Sequence, residues 1–419
     1  MRLLRTLAPG CLTVLALGCT RPAPAARGGA LEARAPSGAS NAPRVSLAGS
    51  PPKPAPKAAP SGRVEPGTPA CQAKGDLLEA SERAFDEKKY DLALGCAEEA
   101  LLDDPENAAA EHERAAALVA LSRFDDARVA YAHALALDPD DPEILVGAAD
   151  LFLSHGGGHE ADEIALAYAR RGEKRARRRR PDLVEQLELL QGMALNDLGR
   201  SAEALEKLDS ALEREPKDLD ARYERGSALF ELCRFAEAKV ELSKVVHELP
   251  DDAFAQHELG LVLERLGEAR EAHGHLARAT QLDPKGFPPP VAVDRAEFER
   301  MVRAEIAALP SELRRDLGAV PVTVQETPEL SDLTVDDPPL SPTILGLFRG
   351  DPIPSACSAA TGAADGGEEQ RAIVIYRTNL LRVVQSKDEL EKQVRITLLH
   401  ELGHLRGADD DELRLEGLE

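Results

Sequence analysis

Gly260-Leu261-Val262-Leu263-Glu264-Arg265-Leu266-Gly267-Glu268-Ala269-Arg270-Glu271-Ala272 carries the pattern that sets the architecture of most of this chain. A small residue, Gly260, is followed twelve places on by another, Ala272, and twelve further by Pro284. The same triplet stands 34 residues earlier as Gly226, Ala238 and Pro250, and again as Gly192, Ala204 and Pro216. Nearer the start it recurs as Ser81, Ala93 and Pro105, then Ala115, Ala127 and Pro139. Small residues at that spacing mark where two helices of a hairpin approach closely, since a bulky side chain would hold them apart. Proline then closes the second helix, because it has no N–H to donate and its ring clashes with the preceding turn.

A fixed period of this kind means stacked supersecondary units. The pattern resembles the tetratricopeptide repeat. Six units are expected between about Asp76 and Pro284. The third, about Pro142 to Pro181, is stretched around His155-Gly156-Gly157-Gly158-His159 and a basic helix end, Arg170 to Arg180. The resemblance implies a superhelix whose concave face takes a protein or peptide partner. His155 to His159 reads as a turn. An oxyanion loop would need a G-x-S-x-G nucleophile elbow, and the sequence holds none. The basic run reads as a solvated helix C-terminus. His273 and His275 read as surface residues.

The second informative stretch is His400-Glu401-Leu402-Gly403-His404-Leu405-Arg406-Gly407-Ala408-Asp409-Asp410. Histidines four apart on a helix lie one above the other, so both imidazoles can reach one zinc ion. Glu401 lies beside the first and is placed to act on the attacking water rather than on the metal. Gly407 can take the left-handed conformation that ends a helix. The turn brings Asp410 within reach as a third ligand. The tail also carries Asp409, Asp411, Glu412 and Glu416, so a neighbouring carboxylate is an alternative. Acidic first-turn residues Asp388 and Glu389 precede a helical run of Leu390, Val394, Thr397 and Leu398. Ala372 to Tyr376 reads as a strand, whose edge is expected to hold an extended peptide.

From about Arg295 onward the chain resembles the small bacterial zincin-like metallopeptidases with H-E-x-x-H-x-x-G-x-x-D. The resemblance rests on Ala296 to Glu299, Val320 to Val324, Ile344 to Phe348, Ile373 to Tyr376 and Gln393 to Leu399 running into the motif. It implies Zn2+ as cofactor, His400, His404 and Asp410 as ligands and Glu401 as general base. The chain departs at Leu405-Arg406, where the family often has a histidine and an aromatic. Tyr376 and Arg406 are the candidate donors to an oxyanion.

Composition bounds the rest. A net charge of −23 argues against a nucleic-acid partner. With aromatics at 3% and no Trp, a large aromatic-cored enzyme is excluded, and helices are favoured. Residues 1–19 read as a lipoprotein signal: Arg2 and Arg5, the short apolar run Leu12 to Leu17, then Gly18 and Cys19 as the lipidated residue. Acyl chains contribute ~0.8 kcal/mol per buried methylene, enough in combination to hold a protein on a membrane. Residues 20–75, rich in Pro and Ala, read as a disordered tether. Residues 285–295, beginning Lys285 to Pro290, read as a hinge between the repeats (76–284) and the C-terminal domain (291–419). Of six cysteines, Cys71, Cys96, Cys233 and Cys357 remain after the signal and the lipid site. They allow three pairings, and Cys96 and Cys233 read as small apolar helix residues.

The fold expected is therefore mostly α: a repeat superhelix followed by a small α+β zincin-like domain. The function expected is an exported, envelope-anchored zinc metallopeptidase cutting peptide or protein substrates, with the array recruiting substrate or partner. The alternative is a scaffold or adaptor lipoprotein whose C-terminal domain binds zinc but cuts little.

Overall fold

The computed structural model describes residues 71, 75–318, 320–353, 371–415 and 417–418. The expected signal peptide, the lipid site at Cys19, most of the tether, Cys357 and Glu416 lie outside the described residues. Within them no helix is long and apolar enough to cross a membrane. The chain forms two compact units, divided between Ala148 and Ala149.

The first unit holds α1 (Leu77–Asp86), α2 (Tyr90–Asp103), α3 (Ala108–Ala120), α4 (Phe124–Leu137) and the start of α5 (Pro142–His155). Asp76 caps α1 by accepting from Leu78 N–H, and Asn107 caps α3 by accepting from Ala110 N–H, which satisfies amides the helix itself leaves free. Ser81 is the small residue of the first hairpin. Its hydroxyl, fully buried, donates to the Ala93 carbonyl at 3.0 Å, so the polar atom is satisfied at the closest approach. Cys71 and Cys96 are joined as a disulfide, and Cys71 N–H also donates to Glu99 Oε1 at 2.8 Å. This corrects two readings. Cys96 is not an apolar filler, and Cys71 is fastened to α2 rather than lying in a free tether.

The second unit continues the hairpins with the rest of α5, α6 (His159–Arg179), α7 (Val184–Asp197), α8 (Ser201–Arg214), α9 (Leu219–Glu231), α10 (Phe235–Glu248), α11 (Ala253–Arg265) and α12 (Ala269–Leu282). The expected role of the small residues is visible in the packing. A Cβ on Gly192 would lie 2.5 Å from Leu208, one on Gly226 2.6 Å from Leu242, and one on Gly260 2.7 Å from Leu276. Each leucine stands four residues after the phased alanine, on the same face of the second helix. His155 to His159 forms the α5–α6 turn, with Gly157 and Gly158 both at positive φ. The basic run is paired more than a solvated end would be: Arg177 bridges Glu173 and Glu188, and Arg180 pairs with Asp182. His275 is also not a plain surface residue, since its Nδ1 lies 2.7 Å from Gln256 Oε1.

The C-terminal domain follows: α13 (Arg295–Ala308), α14 (Ser311–Leu317), β1 (Val322–Gln325), α15 (Leu330–Leu333), β2 (Gly346–Arg349), β3 (Ala372–Tyr376), α16 (Arg377–Arg382), α17 (Lys387–Arg406) and α18 (Asp410–Leu415). The sheet order is β1-β3-β2, with β1 parallel and β2 antiparallel to β3. The strand expected to offer its edge, β3, is thus the central one. Among the described residues, the edge on the metal-motif side belongs to β2. Ile373, Ile375 and Phe348 face a core shared with Phe298 and Val302 of α13 and Leu390, Val394, Leu398, Leu402 and Leu405 of α17.

Lys285 to Pro290 is no loose hinge. Phe287 packs edge-on against Phe254 at 5.1 Å and stacks on His257 at 4.6 Å. Beyond it, Val291 N–H donates to Leu381 O at 3.2 Å. Arg382 of α16 makes two parallel bonds to Glu264 of α11, at 2.8 and 2.7 Å, the forked geometry in which guanidinium and carboxylate bind best. Arg265 donates to Pro328 O and lies over the Phe235 ring. Cys233, at φ 57 in the α9–α10 turn rather than on a helix, points its thiol at Leu340 O.

Two outcomes are expected. Gly226→Val forces atoms into the fully buried Leu242 and destabilises the protein by about 1–3 kcal/mol in a denaturant titration; an unchanged midpoint would show that the helices can separate freely there. A fragment 285–419 is less stable than 219–419 by about 1.5–3 kcal/mol, the scale for uncovering one large side chain, here Phe287; equal melting of the two would show the junction to be inert.

Candidate metal centre

Helix α17 positions the histidine pair. Ser386 caps its start by accepting from Glu389 N–H at 3.2 Å, and Glu389 Oε2 reaches back to Gln385 N–H at 2.8 Å. The serine half is that of a capping box, while the carboxylate reaches one residue beyond the cap, and the Ser386-x-x-Glu389 spacing is itself legible in the sequence. The far end closes at Gly407, at φ 92, where Gly407 N–H donates to His404 O and Ala408 N–H to Gly403 O. The left-handed residue falls where expected and reverses the chain into α18.

The site is built between these ends. His400, Glu401 and His404 are 7%, 4% and 8% exposed. His400 Nε2 and His404 Nε2 are 3.0 Å apart, and Asp410 Oδ1 lies 3.5 and 3.3 Å from them. These three residues are the group able to hold a metal ion among the described residues, with ligand atoms within 4.8 Å of one another. Two of the rival carboxylates are occupied elsewhere: Asp409 Oδ1 accepts from Glu412 N–H at 2.9 Å, and Glu412 Oε2 from Asp409 N–H at 3.3 Å. That capping box starts α18 and leaves Asp410 turned inward.

The chemistry of the donors fits a metal. His404 Nδ1 lies 3.1 Å from Ala408 O and His400 Nδ1 2.7 Å from Leu418 O. A carbonyl can only accept, so each Nδ1 carries the hydrogen and each neutral Nε2 presents a lone pair. Two lone pairs and a carboxylate oxygen then converge, and Asp410 Oδ1 is buried with no hydrogen bond. Such a cluster repels itself unless protons or a cation lie between its members. A zinc-type ion, which takes imidazole nitrogen and carboxylate oxygen and keeps a fourth position open, suits the set. Burial alone would lower both histidines, but the Asp410 and Glu401 carboxylates outweigh it and raise them. Burial would raise Asp410, yet the two imidazoles facing it hold it well below the usual carboxylate range. Glu401 is raised by burial, against the pull of the two histidines and the Phe348 amide.

Three supporting residues escaped sequence reading. Gly346 of β2 lies over Glu401: a Cβ there would come within 2.7 Å of both Glu401 Oε1 and Thr397 Cγ2. Gly403 makes room for Leu413, whose Cδ2 would lie 2.2 Å from an added Cβ. Phe348 offers its backbone amide to Glu401. None has a chemically distinctive side chain, and only Gly403, inside the motif, carried a positional signal. The two candidate oxyanion donors are engaged away from the centre. Tyr376 is fully buried with its hydroxyl 3.3 Å from Asp332 Oδ2, which also pairs with Arg349. Arg406 lies beside Asp316 and Glu312 of α14.

Comparison with known proteins agrees with this architecture. Residues 317–418 match the family model described as zincin-like metallopeptidase, and residues 78–142 and 195–260 match models of the tetratricopeptide repeat. The chain therefore carries tetratricopeptide repeats and a C-terminal zincin-like metallopeptidase domain. No curated protein is matched. Among solved structures, the type IV pilus biogenesis factor PilW is similar at 19% identity and TM-score 0.43, over 49% of this chain and 91% of that one. PilF of Pseudomonas aeruginosa is similar at 17% and 0.43, over 50% and 90%. A tetratricopeptide repeat protein of Parabacteroides merdae is similar at 18% and 0.41, over 57% and 95%.

Zinc at a hundredfold excess over its Kd is expected to stabilise the protein by about 2.7 kcal/mol, read as a rise in melting temperature. His404→Ala and Asp410→Ala should each abolish the rise; full retention in Asp410→Ala would remove that residue from the ligand set.

Proposed function

We propose that this chain is a zinc metallopeptidase held at the cell envelope by an N-terminal lipid on Cys19, with the repeat array recruiting the substrate or a protein partner. The observation that carries the catalytic part is the convergence of His400 Nε2, His404 Nε2 and Asp410 Oδ1, with both Nδ1 atoms tied to carbonyls. His400, His404 and Asp410 would hold the ion. Zinc held there would supply Lewis acidity towards the attacking water and the scissile carbonyl.

The remaining chemistry falls to the protein. Glu401 neighbours the ligands in sequence and is buried; it takes the proton of the attacking water and returns it to the leaving amine. The β2 edge, unpaired among the described residues and carrying the Phe348 amide beside Glu401, would pair with an extended substrate backbone. The array side supplies recruitment, in keeping with the general use of tetratricopeptide repeats as protein-interaction modules. The engagement of Tyr376 and Arg406 elsewhere favours the second reading, an adaptor lipoprotein that binds zinc and cuts little.

Glu401→Gln separates the two. The peptidase reading expects zinc binding to persist in this variant while cleavage of a peptide library falls at least ~100-fold, the lower end of what general-base catalysis contributes. Indistinguishable cleavage by the variant and the parent would leave the adaptor.

A further inference from the structure

The turn beyond α18 is tied to the metal centre by a contact that the ligand motif does not contain. His404 finds its Nδ1 partner locally, at Ala408 O, four residues on and within the Gly407 turn. His400 finds its partner eighteen residues on, at Leu418 O, at 2.7 Å, the shorter of the two contacts. That carbonyl is held in place by its own supports. Leu418 N–H donates to Leu413 O at 3.1 Å and Leu413 N–H to Asp409 O at 3.0 Å. Leu413 is 1% exposed and seated against the face of α17 that Gly403 leaves open.

We propose that Leu418 is a positioning residue of the centre: its backbone carbonyl fixes His400 as the Nδ1–H tautomer and aims the Nε2 lone pair at the position shared with His404 and Asp410. The short helix α18 then does two things at once. Its first residue, Asp410, supplies a ligand, and the turn after its last supplies the acceptor that orients the first ligand of the motif. Without the carbonyl, the His400 ring is free to turn about χ2 and to carry its proton on Nε2, where it blocks coordination. Outer partners of this kind typically change metal affinity by about 10–100-fold when removed.

The proposal rests on the zinc reading for its affinity arm alone; the tautomer can be read without metal. The experiment uses the full chain, labelled with 15N-histidine and metal-free, at a pH where His400 is neutral, its signals identified by their loss in His400→Ala. Nδ1 should resonate as a protonated nitrogen and Nε2 as a lone-pair nitrogen. A variant ending at Glu416, which removes the Leu418 carbonyl but keeps every acidic candidate ligand, should shift His400 towards the Nε2–H form and leave His404 unchanged. Its zinc Kd, measured with zinc alone by competition against a chelator, should rise about 10–100-fold.

The proposal is overturned by an Nε2–H signature for His400 in the intact protein. It is equally overturned by a folded shortened variant whose zinc Kd stays within about twofold of the parent. Should the shortened chain fail to fold, the signature of the intact protein still decides. If His400 shows the Nδ1–H signature and neither protein binds zinc, the metallopeptidase reading fails while the positioning role stands.

Discussion

A backbone carbonyl can accept a hydrogen and cannot donate one, and the two that face His400 and His404 therefore commit both rings to carrying their hydrogen on Nδ1. The consequence is a cluster of acceptors with nothing of its own to share: two Nε2 atoms 3.0 Å apart and a buried carboxylate oxygen. Packing enforces that meeting. Helix α17 is locked by Leu390, Val394, Leu398, Leu402 and Leu405 in the domain core, so the imidazoles cannot drift apart by moving the backbone. Helix α18 is locked by Leu413 against Gly403, so Asp410 cannot swing out. Such a cluster is relieved by a proton or by a cation, and the two compete for the same lone pairs. Metal binding at such a site is for that reason pH-dependent.

The legible parts of the sequence were those in which a residue type serves one purpose. Gly or Ser, Ala and Pro at intervals of twelve could only describe a helix hairpin, and the structure places Gly192, Gly226 and Gly260 against Leu208, Leu242 and Leu276. The leucine at the phased alanine plus four was present in the sequence and completes the contact. His400, His404 and Asp410 were legible for the same reason, since their side chains are the chemistry. What could not be read was anything that depends on backbone atoms or on strand order. Leu418 acts through a carbonyl and Phe348 through an amide, which every residue has. That β3 is central and β2 the edge follows from pairing across a long connection, which local pattern does not encode. Cys71 and Cys96 are one of three possible pairings, and Cys71 sits in a stretch whose composition suggested no order.

The rival functions differ in what they ask of the outer side of the domain. A hydrolase needs an oxyanion donor near the centre, and the two side chains that sequence suggested are used structurally. Tyr376 and Arg349 share Asp332, which ties α15 to the sheet, and Arg406 meets the acids of α14. On the hydrolase reading, with these two side chains engaged, Lewis acidity and the buried Glu401 would have to supply more of the stabilisation of charge.

The junction with the repeats bears on both readings. Arg382 is gripped by Glu264 of α11 and belongs to α16, which begins directly after Tyr376, the last residue of β3. β2 is registered on β3, with Gly346 opposite Ile375, and Gly346 lies against Glu401. A contiguous chain of packed elements thus runs from the sixth hairpin to the buried carboxylate. Contiguity alone does not transmit a signal; coupling requires an element with two arrangements whose balance both ends shift. Arg382 and Glu264 are only partly buried, at 19% and 29% exposure, so solvent can replace either partner at modest cost. The ion pair therefore fixes the junction as one contact among several, beside the Phe287 stack on Phe254 and His257.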